Sequence, residues 1–342
     1  MTGRLEVVPV HGLPEIGPGD DLAALIQGAV PEPLRDGDVV VVTSKVISKA
    51  AGLVAKGDRE TLLDKQTRRV VARRGEIRVV RTPHGLTLAA GGLDASNTLP
   101  GTVVPLPPEP DADAERMRRR LRDLAGVNVA VVVTDTAGRP WRQGQTDIAI
   151  GVAGLTPVDD YTDTVDGHGN RLVVTAPAVA DEIAGAADLV QGKTAGVPVA
   201  VVRGLAERVL PPDRDGPGAT ALLRPAATDM FGWGAADAVR TAVRRDDPDA
   251  SDGFPAPVDP VEDLVDDALR AADRTLVELQ PIGPGQWRLL AVDGAPREAA
   301  AWEAGALVER LRTLAVATRR RLDVHRDGTG RAGLARVTIT SA

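Results

Sequence analysis

Short apolar runs recur along the chain at residues 5–10, 38–43, 77–81, 127–134 and 197–203. Their length and their richness in Val read as strands. The run V-V-V-V within 38–43 shows no polar alternation, the pattern of a strand covered on both faces. Between several of these runs the apolar positions fall at helical spacing. Residues 112–125 put Met117, Leu121 and Leu124 on one face, and residues 181–190 put Ile183, Ala187 and Val190 on one side. Strands alternating with helices predict an α/β class with mixed α+β sheets. The alternation is too irregular for a simple doubly wound, Rossmann-type sheet.

The pattern breaks after Arg244. Residues 245–260, R-D-D-P-D-A-S-D-G-F-P-A-P-V-D-P, are acidic and rich in Pro, as a linker is. The reading is therefore a main domain over 1–244, a linker over 245–260 and a small α+β module over 261–342. In that module helix-like stretches fall near 261–279 and 296–320, and strand-like runs at 287–293 and 335–341. By size it is expected to have little core of its own.

Composition narrows the classes. Only seven residues are aromatic, so the core must rest on Val, Leu, Ile and Ala. The net charge of −7 speaks against general affinity for nucleic acid or an anionic membrane. The local basic runs at 118–120 and 319–321 sit in helix-like stretches with acids nearby and read as solvated faces. There is no cysteine, which excludes disulfides, Fe–S clusters, thiolate zinc sites and a Cys nucleophile. The first ten residues lack a signal-peptide h-region, and no apolar run approaches the roughly 20 residues of a membrane span. A cytoplasmic protein is expected.

The richest stretch is V-V-V-T-D-T-A-G-R-P-W-R-Q-G-Q-T-D, residues 131–147. An apolar strand runs into Thr134, Asp135 and Thr136, followed by Arg139 and Arg142. Ligands of open α/β sheets bind beyond the carboxyl ends of strands. Asp with Thr offers the hard oxygen donors that Mg²⁺ or Mn²⁺ prefers, and the arginines suit a phosphate or carboxylate. The same letters also describe an Asx-type turn. Four further segments are too polar for their surroundings: H-G-L-P-E-I (11–16), T-S-K-V-I-S-K (43–49), A-A-G-G-L-D-A-S-N (89–97) and Q-G-K-T-A-G-V-P (191–198). Singly, each fits a cap or a turn; together with T-D-T-x-G-R they suggest one phosphate and metal site.

Two formal motif matches are rejected. A-D-L-V-Q-G-K-T (187–194) has Walker-like letters, but a helix precedes it and a strand follows, the reverse of a P-loop. G-T-G-R-A-G (328–333) leaves no room for the helix and strand that a dinucleotide fingerprint needs. His11, His84, His168 and His325 are isolated and show no metal-ligand spacing.

These stretches together resemble the coenzyme F420-0:L-glutamate ligase family, the γ-glutamyl ligases that attach glutamate to a deazaflavin cofactor. The resemblance rests on P-V-H-G-L-P-E-I-G-P-G-D-D-L, D-G-D-V-V-V-V-T-S-K-V-I-S-K, A-A-G-G-L-D-A-S-N, V-T-D-T-A-G-R-P-W-R-Q-G-Q-T-D-I-A-I-G and V-A-D-E-I-A-G-A-A-D-L-V-Q-G-K. It implies a family-specific α/β fold without a P-loop, acting as a homodimer. It further implies a GTP-dependent carbon–nitrogen ligase needing Mg²⁺ or Mn²⁺, two ions in all, with K⁺ as a further candidate cation. By it, Leu13, Pro14, Glu15, Ile16, Ser44, Lys49, Asn97 and the loop Gln191, Gly192, Lys193, Thr194, Ala195, Gly196, Val197 and Pro198 contact GTP. Asp94 and Asp135 hold one metal and Thr136 a second.

The expected chemistry is activation of the precursor's terminal carboxylate as an acyl phosphate, then attack by the glutamate amine. Lys45 and Lys49 would add positive charge. Arg139 and Arg142 would clamp carboxylates or the precursor's phosphodiester, or else form structural ion pairs. The tail faintly resembles the opening of a nitroreductase-like flavin domain but is about half the length one needs. It reads as a reduced, non-catalytic module. The rival readings are a flavin oxidoreductase through that tail, and a non-catalytic GTP-binding protein.

Overall fold

The computed structural model describes residues 3–96, 98, 100–225, 228–229, 231–244, 254, 259–326 and 333–341. The chain divides into two compact units, residues 1–223 and 224–342. Most of the proposed linker 245–260, the fingerprint-like 328–332 and Asn97 lie outside the described residues.

The first unit runs β1 (Glu6–Pro9), α1 (Leu22–Ala29), β2 (Val39–Thr43), α2 (Ser44–Ala50), β3 (Ala55–Lys56), α3 (Arg59–Lys65), β4 (Arg69–Arg74), β5 (Ile77–Arg81), β6 (Thr87–Ala89), β7 (Thr102–Val103), α4 (Pro110–Ala125), β8 (Ala130–Gly138), β9 (Gln145–Ala153), α5 (Val179–Gln191) and β10 (Val199–Arg203). Five strands form the main sheet in the order β1-β10-β2-β8-β9. Only β2 and β8 run parallel; every other neighbour is antiparallel. The α/β class with mixed sheets is thus the observed one.

Both faces of this sheet are covered, which explains the unbroken valine runs. Val40, Val42, Val131, Val133, Val199 and Val201 pack with Ile26 of α1, Ile47 of α2 and Leu121 of α4. Their alternate neighbours Val39, Val41, Val132, Ala200 and Val202 pack with Ile183 and Ala187 of α5 on the other side. This is the period-two alternation of strand side chains read out on two cores. Leu124, placed by its spacing on the buried face of α4, is exposed.

The directions of the five strands have one consequence for chemistry. The carboxyl ends of β1, β2 and β8 and the amino ends of β10 and β9 all meet at the same end of the sheet. The segments 10–16, 44–49, 139–144 and 191–198 therefore emerge side by side. A smaller antiparallel sheet, β4-β5-β6, packs with α3 through Leu63, Val80, Leu93 and Val103. The turn after β6 takes positive φ at Ala90 (53°), Gly91 (60°) and Gly92 (71°). A Cβ on Gly92 would overlap Leu106, so the turn needs glycine there for space as well as conformation. It leads to Asp94, whose backbone is fixed in an isolated bridge with Val104.

Two local expectations change. Strand β8 does not stop at an Asx turn: it continues through Thr134, Asp135 and Thr136, paired with β9 as far as Gly138↔Gln145. The reading of 118–120 as a solvated face fails at Arg118, which is 2% exposed. Its guanidinium donates to Val129 O, Asn128 Oδ1, Leu210 O, Pro211 O, Arg214 O and the Asp215 carboxylate. It ties α4 to the 210–215 loop.

The second unit contains α6 (Ala235–Arg244), α7 (Val261–Arg270), β11 (Val277–Gly283), β12 (Gln286–Ala291), α8 (Arg297–Ala317), β13 (Arg320–Arg326) and β14 (Gly333–Ser341). Its strands form an antiparallel sheet, β11-β12-β14-β13. Contrary to the expectation from size, it has a core of its own. Leu264, Leu269, Leu307 and Leu311 pack there with Trp287, Leu289, Val337 and Ile339. The helix expected over 261–279 ends at Arg270, and Val277 already belongs to β11. The basic run 319–321 opens strand β13 rather than lying on a helix. Among the described residues no helix is long and apolar enough to cross a membrane.

Candidate active site

Three polar groups gather at the sheet end described above. The first joins α2 to the turn after β6. Lys45 Nζ lies 2.5 Å from Asp94 Oδ2 and donates to Ser96 Oγ (2.7 Å) and Ser96 O (2.9 Å). Ser96 N donates to Asp94 Oδ1 at 2.6 Å. Burial alone would raise the Asp94 carboxyl, but the bonds from Lys45 and Ser96 outweigh it and hold it below the ordinary value.

The second group is Asp135 itself. It forms no ion pair among the described residues and is half-buried in β8. Burial pushes its carboxyl up to about 7; the Thr136 backbone N–H and Lys193 oppose this, while the charges of Asp147 and Asp94 reinforce it. The third group lies around Thr136, the next residue of β8. Thr136 Oγ1 donates to Asp147 Oδ1 (2.7 Å) and accepts from Lys193 Nζ (2.6 Å). Lys193 also reaches Asp188 Oδ1 (3.2 Å) and Asp147 Oδ1 (3.3 Å). Burial would lower the Lys193 ammonium, but those two carboxylates raise it above its ordinary value. Strand alternation turns Asp135 towards the face of Val133 and Ala137, and Thr136 towards the α5 face.

The remaining expected residues fall around these groups. Lys49 is buried and lies 2.5 Å from Glu15 Oε1, which draws the 11–16 segment to α2. Ile16 and Ser44 are buried, Leu13 packs on the core edge and Pro14 is exposed. In the 191–198 loop Gln191 and Val197 are buried, Pro198 is half-buried, and Gly192, Lys193, Thr194, Ala195 and Gly196 are exposed. Pro198 O accepts from Thr43 N at 3.0 Å, so the loop is pinned to the end of β2. Helix α5 precedes it and β10 follows, the reverse of P-loop order. Arg139 and Arg142 are exposed in the β8–β9 connection, where Arg139 donates to Gln143 O at 2.9 Å.

Asp94, Asp135 and Thr136 fit a hard divalent cation by donor chemistry, since all three offer oxygen. The half-buried Asp135 carboxyl, crowded by two other carboxylates, is a group that a cation would relieve. Among the described residues no three His, Asp or Glu side chains gather tightly enough to cage a metal alone. A Mg²⁺ or Mn²⁺ ion here would therefore complete its shell with water and phosphate oxygens, its usual habit.

Sequence reasoning missed Asp147 and Asp188. The signal for Asp147 was available: it is the one charged residue in the otherwise apolar and small run D-I-A-I-G-V-A.

The loop geometry supports one prediction. The Lys193 side chain is turned to protein oxygens, so if the loop meets GTP, as the resemblance implies, the contact falls to its backbone. Lys193→Ala is expected to weaken GTP binding by well under the roughly 2–3 kcal/mol of a lost charged hydrogen bond. Gly192→Val should do more damage, because Gly192 sits at φ 60° with open space around it. Calorimetric titration with GTP checks both; abolished binding in the lysine variant beside normal binding in the glycine variant would reverse the assignment.

A sequence profile of the F420-0:gamma-glutamyl ligase family matches residues 12–61 and 59–204, the span that holds every group described above. The chain is 39% identical over 251 residues to the coenzyme F420:L-glutamate ligase of Methanothermobacter thermautotrophicus, covering 66% of this chain and 98% of that protein. It is 39% identical over 223 residues to the protein of the same name from Archaeoglobus fulgidus (59% and 88% covered). The match to the one from Methanopyrus kandleri is 37% over 254 residues (67% and 98%). On the strength of that profile and these relatives, the chain belongs to the F420-0:gamma-glutamyl ligase family.

Proposed function

We propose that this protein joins L-glutamate to coenzyme F420-0 through an amide bond, using GTP and a divalent metal. The observation that carries the reading is Asp135, a half-buried carboxyl at the carboxyl end of a central strand. It stands between two clusters, each of which holds a lysine ammonium against an oxygen donor.

Joining a carboxylate to an amine is uphill in water, so the carboxylate must first be activated. In the proposed reaction an oxygen of the precursor's terminal carboxylate attacks the γ-phosphorus of GTP, and GDP leaves. The glutamate amine then attacks the acyl carbon, loses a proton and expels phosphate. Phosphoryl transfer needs positioning and charge neutralisation more than covalent help. Asp94 and Asp135 would hold one metal ion and Thr136 a second, and these ions would supply positive charge to the phosphate oxygens. Lys45 and Lys49 are buried or half-buried cations at the same sheet end and would add to that charge. The 191–198 loop would present backbone N–H groups to the nucleotide. Arg139 and Arg142, exposed on the neighbouring connection, would take the carboxylates of glutamate or the phosphodiester of the precursor. Lys49 is held by Glu15, so the 11–16 segment would close beside the same nucleotide.

Isotope transfer tests the acyl-phosphate step. With ¹⁸O in the precursor's carboxylate, one labelled oxygen is expected in the phosphate released. Unlabelled phosphate alongside amide product would remove that intermediate. A second expectation follows from the location of the site. Removing residues 224–342 should leave GTP-dependent ligation measurable, because every group described lies in the first unit. A truncated protein that is folded by circular dichroism yet inactive would bring the second unit into the reaction.

A further inference from the structure

Asp147 is costly where it stands. It is 5% exposed, and carboxylates are seldom buried unless something compensates them. Its two oxygens serve different threonines of the facing strand: Oδ2 accepts from Thr134 Oγ1 at 3.0 Å, and Oδ1 from Thr136 Oγ1 at 2.7 Å. Strands β8 and β9 are already joined there by backbone pairing, Thr136 lying opposite Asp147. A buried charge adds little to a ladder that is already made, and ordinarily costs more than it returns.

What the carboxylate does impose is direction. A threonine hydroxyl has one proton and two lone pairs. With the Thr136 proton committed to Asp147, both lone pairs of Oγ1 are left for positive charge. One of them already meets the Lys193 ammonium at 2.6 Å, and that ammonium also leans on Asp147 and Asp188. The Thr136 hydroxyl oxygen, with its lone pairs so directed, is a donor a hard cation would seek. The ammonium and an incoming cation would compete for it.

We propose that Asp147 is a positioning residue for ligation, fixing the Thr136 hydroxyl so that Oγ1 faces a cation, and that Lys193 is a tethered cation competing for that oxygen. The proposal rests on the metal-dependent reading above and adds to it a residue that acts through Thr136 without touching the metal. An amide in place of Asp147 has only one acceptor oxygen, so it must donate to one of the two threonines and turn that hydroxyl round. Lys193, on an exposed side chain, is removable without disturbing the core: its side chain is 60% exposed.

The test is Mn²⁺ binding without nucleotide, read as free Mn²⁺ by electron paramagnetic resonance. Asp147→Asn is expected to weaken one Mn²⁺ site by about tenfold or more, the usual cost of losing a group that orients a ligand. Lys193→Met is expected to tighten the same site several-fold. The gain should survive at roughly 0.5 M tetramethylammonium chloride, which screens long-range charge but is too bulky to take the site. Wild-type Mn²⁺ affinity in both variants, with only a lower melting temperature for Asp147→Asn, would make Asp147 purely structural and overturn the proposal. Weaker binding in Lys193→Met would overturn it too, and this arm stands alone if Asp147→Asn does not fold. A wild-type protein that takes up no Mn²⁺ is a different result: it overturns the metal-dependent reading, and this inference with it.

Discussion

Asp135→Asn is expected to lower ligation by roughly a thousandfold, the scale of removing a group that holds charge at a phosphoryl-transfer site. The same change should make the protein more stable at about pH 8. The sign follows from the carboxyl being held near 7, well above its ordinary 3.8. A carboxyl raised on folding favours the folded state below its unfolded value, and that advantage is lost as pH rises towards 7. Above pH 7 the wild type carries an uncompensated charge that the amide lacks, so the variant should gain roughly 1–3 kcal/mol there. Near pH 4 the gain should vanish. Urea denaturation at both pH values, without metal, measures it. A variant less stable than wild type at pH 8 would mean that the carboxylate is a structural support. If Asp135 holds the metal as proposed, its proton must leave on binding, and Mn²⁺ affinity should fall by up to about tenfold per pH unit below 7.

The second large effect concerns the scaffold. Arg118→Met is expected to cost about 3–5 kcal/mol, the range for removing one partner of a buried charge network. Removal would take the donor from the carbonyls of Val129 and Arg214 and from the Asn128 amide oxygen, and one of their partners from Leu210 O, Pro211 O and the Asp215 carboxylate, which keep Asn128 Nδ2, Arg214 N and Arg119. Arg118→Lys should recover only part of the loss, because an ammonium has three donors where the guanidinium fork has five. The surrounding chain is shaped to this fork: Gly154, at φ 73°, lies where a Cβ would overlap it. A denaturation midpoint within error of wild type for Arg118→Met would show that the 210–215 loop is held by other means.

The main sheet was legible because its central strands are covered on both faces and so appear as continuous valine runs; β2 and β10 lie within a residue or two of their expected limits. The end of β8 was not, because T-D-T-A-G has the letters of a turn and only its pairing with the following strand, β9, makes it strand. Arg118 was hidden inside R-R-R, although its place between Ala114 and Leu121 on the buried stripe of α4 set it apart from its neighbours. Residues 271–279 continued a helical pattern that the turn after Arg270 ends. Of the polar groups at this sheet end, Asp94, Asp135, Thr136, Lys45, Lys49 and Lys193 all stand in the segments that were too polar for their surroundings. Asp147 was missed because its partner, Thr136, lies on the facing strand, and only the strand pairing joins them; Asp188 stands just five residues before Lys193, but its hold on that ammonium shows only once α5 ends between them.

Mass spectrometry of coenzyme F420-0 incubated with this protein, GTP, Mn²⁺ and L-glutamate tests the central claim most directly. The predicted result is precursor extended by one or more amide-linked glutamates, with equal amounts of GDP and phosphate, and none when metal, GTP or glutamate is left out. Precursor of unchanged mass, from folded protein that binds GTP and Mn²⁺, would contradict it.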